Sequence, residues 1–400
     1  MDKNQPLDPQ TRALINALSR RRVLQFGALG AAAAVASACG VGGSDNASPT
    51  PSEVEDLSDT EKTLIWSTWI DYIDIDDDGN RPTLDLFTEQ TGISVQYDED
   101  YNDNNEFYAK VRTQLEAGQG INRDIVTPTD WMAALWISKG YAQNLNKDNI
   151  ANASNVGAAW QGVGFDPNRD KSLPWQSGFG GIGWNRSVLK DLTGKDELTS
   201  LEELWDPKLK GRVTILSEMR DSMGLALLAL GKRADDFSAA DFEAAIAYFQ
   251  EQIDSGQIRQ VTGNDYKSLM ADGQVAAAIA WSGDMLNNTM KYGFSIPDSG
   301  GTLWTDNMII PIGATHKKNA ETWMNFYYDP VNAARVAAYV NYICPVEGAR
   351  DAMGDIDPSQ VDNPAIFPDD ETLAKVQVFK ALTDSEQASY EGQFQALIGA

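Results

Sequence analysis

With 400 residues, 42% of them hydrophobic, the chain is long enough for two ordinary domains with cores of their own. Its 58 acidic and 32 basic residues leave a formal charge of −26, a field that repels nucleic acid and anionic lipid, concentrates cations and also serves solubility. One histidine (His316) and two cysteines (Cys39, Cys344) leave little from which to build a Cys/His metal site or a histidine-based catalytic pair.

The chain opens on an address. Ser19-Arg20-Arg21-Arg22 precedes an apolar, Ala- and Gly-rich run over 23–38, too short and too weakly apolar for a normal spanning helix. The Ser-Arg-Arg start is similar to a twin-arginine export signal. The run ends in Ala36-Ser37-Ala38-Cys39-Gly40, which resembles a bacterial lipobox, whose cysteine is lipidated and becomes the new N-terminus. A plain signal peptide with a chance cysteine is the alternative. Residues 41–58, rich in Gly, Ser, Pro and acids, read as a flexible tether. The expected order is therefore an export signal at 1–38, then a lipidated Cys39 and tether at 39–60. That order holds the chain by lipid to the outer face of the cytoplasmic membrane. Cys344 is left as a lone, buried thiol.

From Lys62 the pattern becomes globular. Thr63-Leu64-Ile65-Trp66 reads as a strand, 83–90 as a helix stopped by Thr91-Gly92, and 93–97 as a second strand. A helix is expected over 105–117, a short buried strand over 124–126, and a helix over 130–139 that ends at Gly140. A second unit starts near Leu173, with strands at 179–185, 212–216 and 275–281. Its helices are expected at 200–205 (opened by a serine cap), 222–230, 239–253 and 266–271. Helices over 323–328, 331–340 and 371–382 close the chain, and His316, in a polar run, is expected in a solvated turn. Strands alternating with helices of about ten residues imply an α/β layer structure.

Two motifs are weaker than they look. Gly178-Phe179-Gly180-Gly181-Ile182-Gly183 matches G-x-G-x-x-G, but its glycines lie in or lead into a strand and open no helix, so a pliant crossover is expected instead of a dinucleotide site. Asp74, Asp76, Asp78 and Asp85 have the spacing of a calcium loop. Arg81 and Pro82 disturb that pattern, and a solvated acidic loop is the alternative. No cofactor is expected.

Five landmarks occur in order: Trp69-Ile70-Asp71-Tyr72, Phe87-Thr88-Glu89-Gln90-Thr91-Gly92-Ile93, Leu204-Trp205-Asp206-Pro207-Lys208-Leu209-Lys210-Gly211, Trp281-Ser282-Gly283-Asp284 and Leu303-Trp304-Thr305-Asp306. Together they resemble the spermidine/putrescine-binding proteins of ABC importers, two-lobed receptors of the type II periplasmic-binding fold. The resemblance implies an α/β, two-lobed architecture with a ligand cleft and hinge crossovers. Lobe one would be 61–170 plus 285–345, and lobe two 171–284 plus 346–400. It also implies a monomeric receptor that passes polyamines to a membrane permease and catalyses nothing.

A polyamine is an apolar methylene chain with ammonium groups. Its site needs flat rings for the chain and carboxylates for the charges. The candidates fall in blocks just past expected strand ends, where open α/β sheets place ligands: Trp69 and Tyr72; Asp130 and Trp131; Glu218 and Asp221; Trp281 and Asp284; then Trp304, Asp306 and Tyr342. Trp175 is a weaker candidate. Each ring could instead be core, and Glu218 and Asp221 could simply be acids solvated at a helix N-terminus. The same fold could bind a sugar, an amino acid or a quaternary amine. Glu218 and Asp221 as the acid and base of a secreted glycosidase fit poorly, because carboxylates three apart on one helix rarely flank a scissile bond.

Overall fold

The computed structural model describes residues 54–399. The export signal, Cys39 and most of the tether lie outside them. One continuous sheet runs in the order β2-β1-β3-β9-β4-β7-β5-β6, with β10 added to β9 and β8 to β4. The strands are β1 (Thr63–Trp69), β2 (Ser94–Tyr101), β3 (Ile125–Val126), β4 (Ser172–Asn185), β5 (Val213–Leu216), β6 (Ile258–Thr262), β7 (Ala277–Trp281), β8 (Tyr292–Ser295), β9 (Gly301–Ile309) and β10 (Val376–Val378). The helices are α1 (Pro82–Thr91), α2 (Asn104–Glu116), α3 (Asp130–Ser138), α4 (Arg186–Thr193), α5 (Met219–Ala229), α6 (Ala239–Asp254) and α7 (Tyr266–Ala271). They continue with α8 (Ser282–Leu286), α9 (Lys317–Tyr327), α10 (Pro330–Val340), α11 (Ala349–Ile356), α12 (Asp370–Leu373) and α13 (Asp384–Ile398).

The register shows how a cleft arises. β1, β2 and β3 are parallel, as are β5, β6 and β7. Between these groups run the antiparallel partners β9 and β4. Val126 of β3 pairs with Ile309, and Ile309 with Ser172, at one end of the β4–β9 pair. Trp184 pairs with Ala277 at the other end. The two parallel groups therefore run toward each other. Their carboxyl ends meet at the middle of β4 and β9, where Gly178 faces Trp304 and Gly180 faces both Trp281 and Thr302. Open α/β sheets present ligand groups at such ends.

The crossing strand is the Gly-rich stretch of the sequence, and β4 is about twice the length expected for it. Its glycines make room for neighbours rather than cradle phosphates. A Cβ on Gly178 would lie 2.5 Å from the Trp304 ring and 2.8 Å from that of Tyr342. One on Gly180 would lie 2.8 Å from an Asp221 oxygen.

Local rules account for most helices. Asp103 caps α2 by accepting from the Asn105 and Glu106 amides, and capping boxes open α6 and α13. A Ser200–Glu203 capping box opens a 3₁₀ turn over Leu201–Trp205, the short helix expected there.

One expected element changes, and two stretches bear on the expected lobes. Residues 285–295, expected in lobe one, put β8 beside residues 182–185 of β4, in the half that carries β7. Residues 346–400, expected wholly in lobe two, divide: α11 packs on α10 in the half of β1, while α13 packs on α6 in the other half. The helix expected over 371–382 is instead the short α12 followed by β10, which pairs with Gly301–Leu303.

His316 is also placed differently from expectation. Its ring is buried, with Nδ1 3.1 Å from Asp124 and Nε2 3.0 Å from Glu61. Asp124 is held there because it also accepts from the Ile65 amide at the start of β1.

Candidate functional site

Four connections leave the inward-facing strand ends, and each delivers side chains to the same place. β1 leads to Trp69 and Tyr72, β3 to Thr129, β5 to Glu218 and Asp221, and β7 to Trp281 and Asp284. β9 adds Thr302, Trp304 and Asp306 from one of its two faces, by the two-residue alternation of a strand. Thr129, Glu218 and Trp281 stand at the N-caps of α3, α5 and α8, yet none of their side chains caps its own helix. They bond groups of the site instead.

The hydrogen bonds form two sets, one around Glu218 and Asp306 and one around Asp221 and Asp284, the second joined where the Trp281 amide donates to the Tyr266 hydroxyl. Asn104 donates from its backbone and its side chain to Glu218, both at 2.8 Å, and its side chain also donates to the Thr129 hydroxyl at 2.9 Å. Thr129 in turn donates to Asp306 at 2.7 Å, and the Tyr72 hydroxyl donates to the other oxygen of Asp306 at 2.8 Å. Asp221 accepts from the Trp281 indole at 3.0 Å and from the Thr302 hydroxyl at 2.9 Å. Asp284 accepts from Tyr266 at 2.5 Å and from Tyr342 at 3.0 Å.

Rings tie these acids together. Trp69 meets Trp281 at 5.8 Å between centroids, Tyr72 meets Tyr342 at 5.4 Å, and Tyr342 meets Trp304 at 5.2 Å. Trp69 is oriented by its indole N–H, which donates to the Thr127 carbonyl.

Buried acids dominate the electrostatics. Glu218, Asp221 and Asp306 are 4%, 8% and 3% exposed. Burial raises the pKa of all three: Asp306 to about 7, Asp221 in the same direction, and Glu218 well above the carboxylate range, helped by the nearby Asp103. Among the described residues none of the three forms an ion pair with a Lys, Arg or His. Arg220, the neighbouring cation, forms its ion pair with Glu391 at 3.6 Å and lies over the Trp131 ring at 4.1 Å, and from there its charge acts on Glu218 and Asp221 without pairing either. Buried charge without a partner is costly, and a desolvated cation placed among these acids would offset that cost.

Two expected members stand apart. Asp130 accepts from Asn307, a residue on the opposite face of β9 from Asp306, and Arg169 answers its charge. It borders a separate, largely apolar cavity of ≈ 400 Å³ with Leu303, Thr305 and Ile343. Trp131 presents a ring face to Arg220, so an internal guanidinium takes the position expected for a ligand cation. Trp175 is fully buried against Trp66 and Tyr327 in the core.

The acidic loop does not gather into a metal site. Asp74 turns inward and accepts from the Thr83 amide at the start of α1, Asp76 accepts from the Asp78 and Asn80 amides, and Asp78 and Asp85 are exposed. Among the described residues no three His, Cys, Asp or Glu side chains could hold a metal ion.

The residues missed by sequence reasoning are Asn104, Thr129, Thr302, Tyr266, Asp71 and Lys267. Asp71 lay inside the Trp69–Tyr72 landmark, and Thr129 directly before Asp130. Asn104, Thr302 and Tyr266 carry no local signal, because polar residues at element ends are common.

Residues 82–368 match the family described as bacterial extracellular solute-binding protein. The chain belongs to that family. Among similar proteins, the spermidine/putrescine-binding periplasmic protein of Salmonella typhimurium is 26% identical over 339 residues, covering 84% of this solute-binding protein and 91% of that one. The putrescine/cadaverine-binding protein of Pseudomonas aeruginosa is 29% identical over 344 residues, covering 82% and 90%. The crystal structure of the spermidine/putrescine ABC transporter substrate-binding protein PotD of Streptococcus pneumoniae superposes with a TM-score of 0.65 at 25% identity, covering 84% of this chain and 98% of that one. The fold is the two-lobed fold of periplasmic binding proteins. Among the described residues no helix is long and apolar enough to cross a membrane.

Proposed function

We propose that this solute-binding protein is the extracytoplasmic receptor of an ABC importer and captures polyamines of the putrescine and spermidine class. The observation that carries this reading is the group Glu218, Asp221 and Asp306: three buried carboxylates, interleaved with tryptophan and tyrosine rings, whose charge no side chain among the described residues neutralises by an ion pair. An ammonium supplies the missing charge, and the rings cover the methylenes between ammonium groups. The names of the relatives point the same way.

Ligand capture would close two halves about the middle of β4 and β9. In that reading the first half holds β1–β3 with α1–α3 and α9–α11, and the second holds β5–β8 with α4–α8, β10 and α13. Trp69, Tyr72, Glu218, Asp221, Trp281, Trp304, Asp306 and Tyr342 contribute from both halves. Glu218 and Asp221 are held as acceptors by Asn104, Trp281 and Thr302, which suits ion pairing with a guest better than the acid–base work of a glycosidase. The receptor would work as a monomer, tethered through lipidated Cys39 beside its permease.

Calorimetric titration of the purified protein with diamines, triamines and tetramines tests the reading, with binding of putrescine or spermidine expected. Absence of heat from the whole series, with no thermal shift, would overturn it.

A further inference from the structure

One acid of the cluster is not free. Lys267, on α7, reaches 2.7 Å from Asp71 and 3.2 Å from Asp284, with its side chain only 17% exposed. Asp71 follows β1 in one half of the molecule, whereas Lys267 and Asp284 follow β6 and β7 in the other, so the ammonium bridges the two. Asp71 is held there in a left-handed conformation (φ 58°), uncommon for a residue with a side chain, and its amide donates to Glu99. Burial opposes the charge on Lys267, but Asp284 and Asp71 outweigh that effect and keep it protonated.

Asp284 is bonded to Tyr342, whose ring contacts both Tyr72 and Trp304. The Lys267 ammonium therefore sits against one end of the aromatic group that Glu218, Asp221 and Asp306 serve elsewhere. A cavity of ≈ 420 Å³ opens at this end, lined among others by Ile70, Asp71, Asp265, Lys267, Asp284 and Tyr292. The cavity meets the acidic and aromatic cluster at Asp284, and an internal cation holds that carboxylate and Asp71.

We propose that Lys267 is a specificity-determining residue: its ammonium occupies the cation position between Asp71 and Asp284, so the cleft prefers a short diamine and rejects guests that carry a further ammonium to that end. The rejection is a repulsion between like charges, a device by which sites discriminate against close relatives of their ligand. This inference rests on the polyamine reading above and deepens it.

The test titrates the protein, Lys267→Met and Lys267→Arg with putrescine, spermidine and spermine, with melting curves to check folding. Lys267→Met keeps the length of the stem and removes the charge. It is expected to shift the spermidine-to-putrescine affinity ratio at least tenfold toward spermidine. Lys267→Arg, which keeps the charge, is expected to retain the original preference. If the unmodified protein binds polyamines and Lys267→Met leaves the ratio unchanged, the role of Lys267 is overturned while the receptor reading stands. If no variant binds any amine, the polyamine reading fails and this inference fails with it.

Discussion

Trp69 and Trp281 meet at an angle of 69° with centroids 5.8 Å apart, one at the end of β1 and the other at the end of β7. The contact joins the two halves of the sheet, and each indole N–H is committed to its own half's network: Trp69 to the Thr127 carbonyl, Trp281 to Asp221. Trp281 thus does two jobs. It offers a ring to the cleft, and it fixes the orientation of an otherwise unpaired acid.

Trp281→Ala is expected to weaken polyamine binding at least tenfold, a loss of about 1.4 kcal/mol or more. Trp281→Phe restores the ring without the N–H and is expected to recover only part of it. Equal affinity in all three proteins, measured by calorimetry, would remove Trp281 from the site.

Asp306 separates binding from stability. Its pKa, raised to about 7 by burial, means that the ligand-free fold favours the protonated form, and the stability this contributes is lost as pH rises through about 7. Asp306→Asn removes the buried charge and keeps a group that can bond Tyr72 and Thr129. At pH 8 the ligand-free variant is expected to melt higher than the parent, yet to bind polyamines at least about tenfold more weakly. A lower melting point together with intact binding would reverse the assignment.

Much of this site was legible because its residues sit in the first few positions after parallel strands, where sequence landmarks and sheet geometry coincide. Trp69, Glu218 and Trp281 stand in such positions, whereas Asp306 lies inside β9 and is marked only by the Leu303-Trp304-Thr305-Asp306 landmark. The face of a residue was not legible. Asp130 and Asp306 both precede or follow strand residues with the right spacing, but the alternation of β9 sends Asn307, and Asp130 with it, to the far side. Lys267 escaped notice because a lysine one position into a short helix is ordinarily solvated, and only the folded chain brings Asp71 to it.

The fold shows the same division. β9 (Gly301–Ile309) contains Thr, Asp and Asn and lacks an apolar alternation, so its long pairing with β4 could not be read locally. β10 is a strand only because Val376–Val378 finds Gly301–Leu303. By contrast, Tyr390, Phe394 and Leu397 in α13 recur at helical spacing and are buried on one face, a signal present in the sequence and passed over.

Gly178→Ala tests the close approach of Trp304 and Tyr342 to β4. The added Cβ would stand 2.5 Å from one ring and 2.8 Å from the other, so the rings must shift. Overpacking of this kind costs about 1–3 kcal/mol. Urea unfolding should show a loss in that range, and titration of the folded fraction should show weaker polyamine binding. A variant as stable as the parent, with unchanged affinity, would mean that the rings move freely and contribute nothing to shape.

The acids also set a pH dependence whose sign follows from their shifts. Asp306, Asp221 and Glu218 are all raised by burial, Asp306 from 3.8 to about 7. An ammonium pairs with the ionised form, so binding must drive protons off whichever of these groups still hold them. Affinity for putrescine is therefore expected to rise as pH increases from about 5 to about 8, with protons released to the buffer near neutrality. Ligand-free stability moves the opposite way over the same window, since the charged acids destabilise the empty cleft. His316 adds to that fall: burial lowers its pKa, but the contacts with Glu61 and Asp124 leave it net raised, so its contribution too is lost as pH rises. The melting shift produced by a fixed putrescine concentration should consequently widen with pH. Calorimetry in two buffers of different ionisation heat would detect the released protons directly, and identical heats in both, with an affinity flat across the window, would show that these carboxylates are already ionised before the guest arrives.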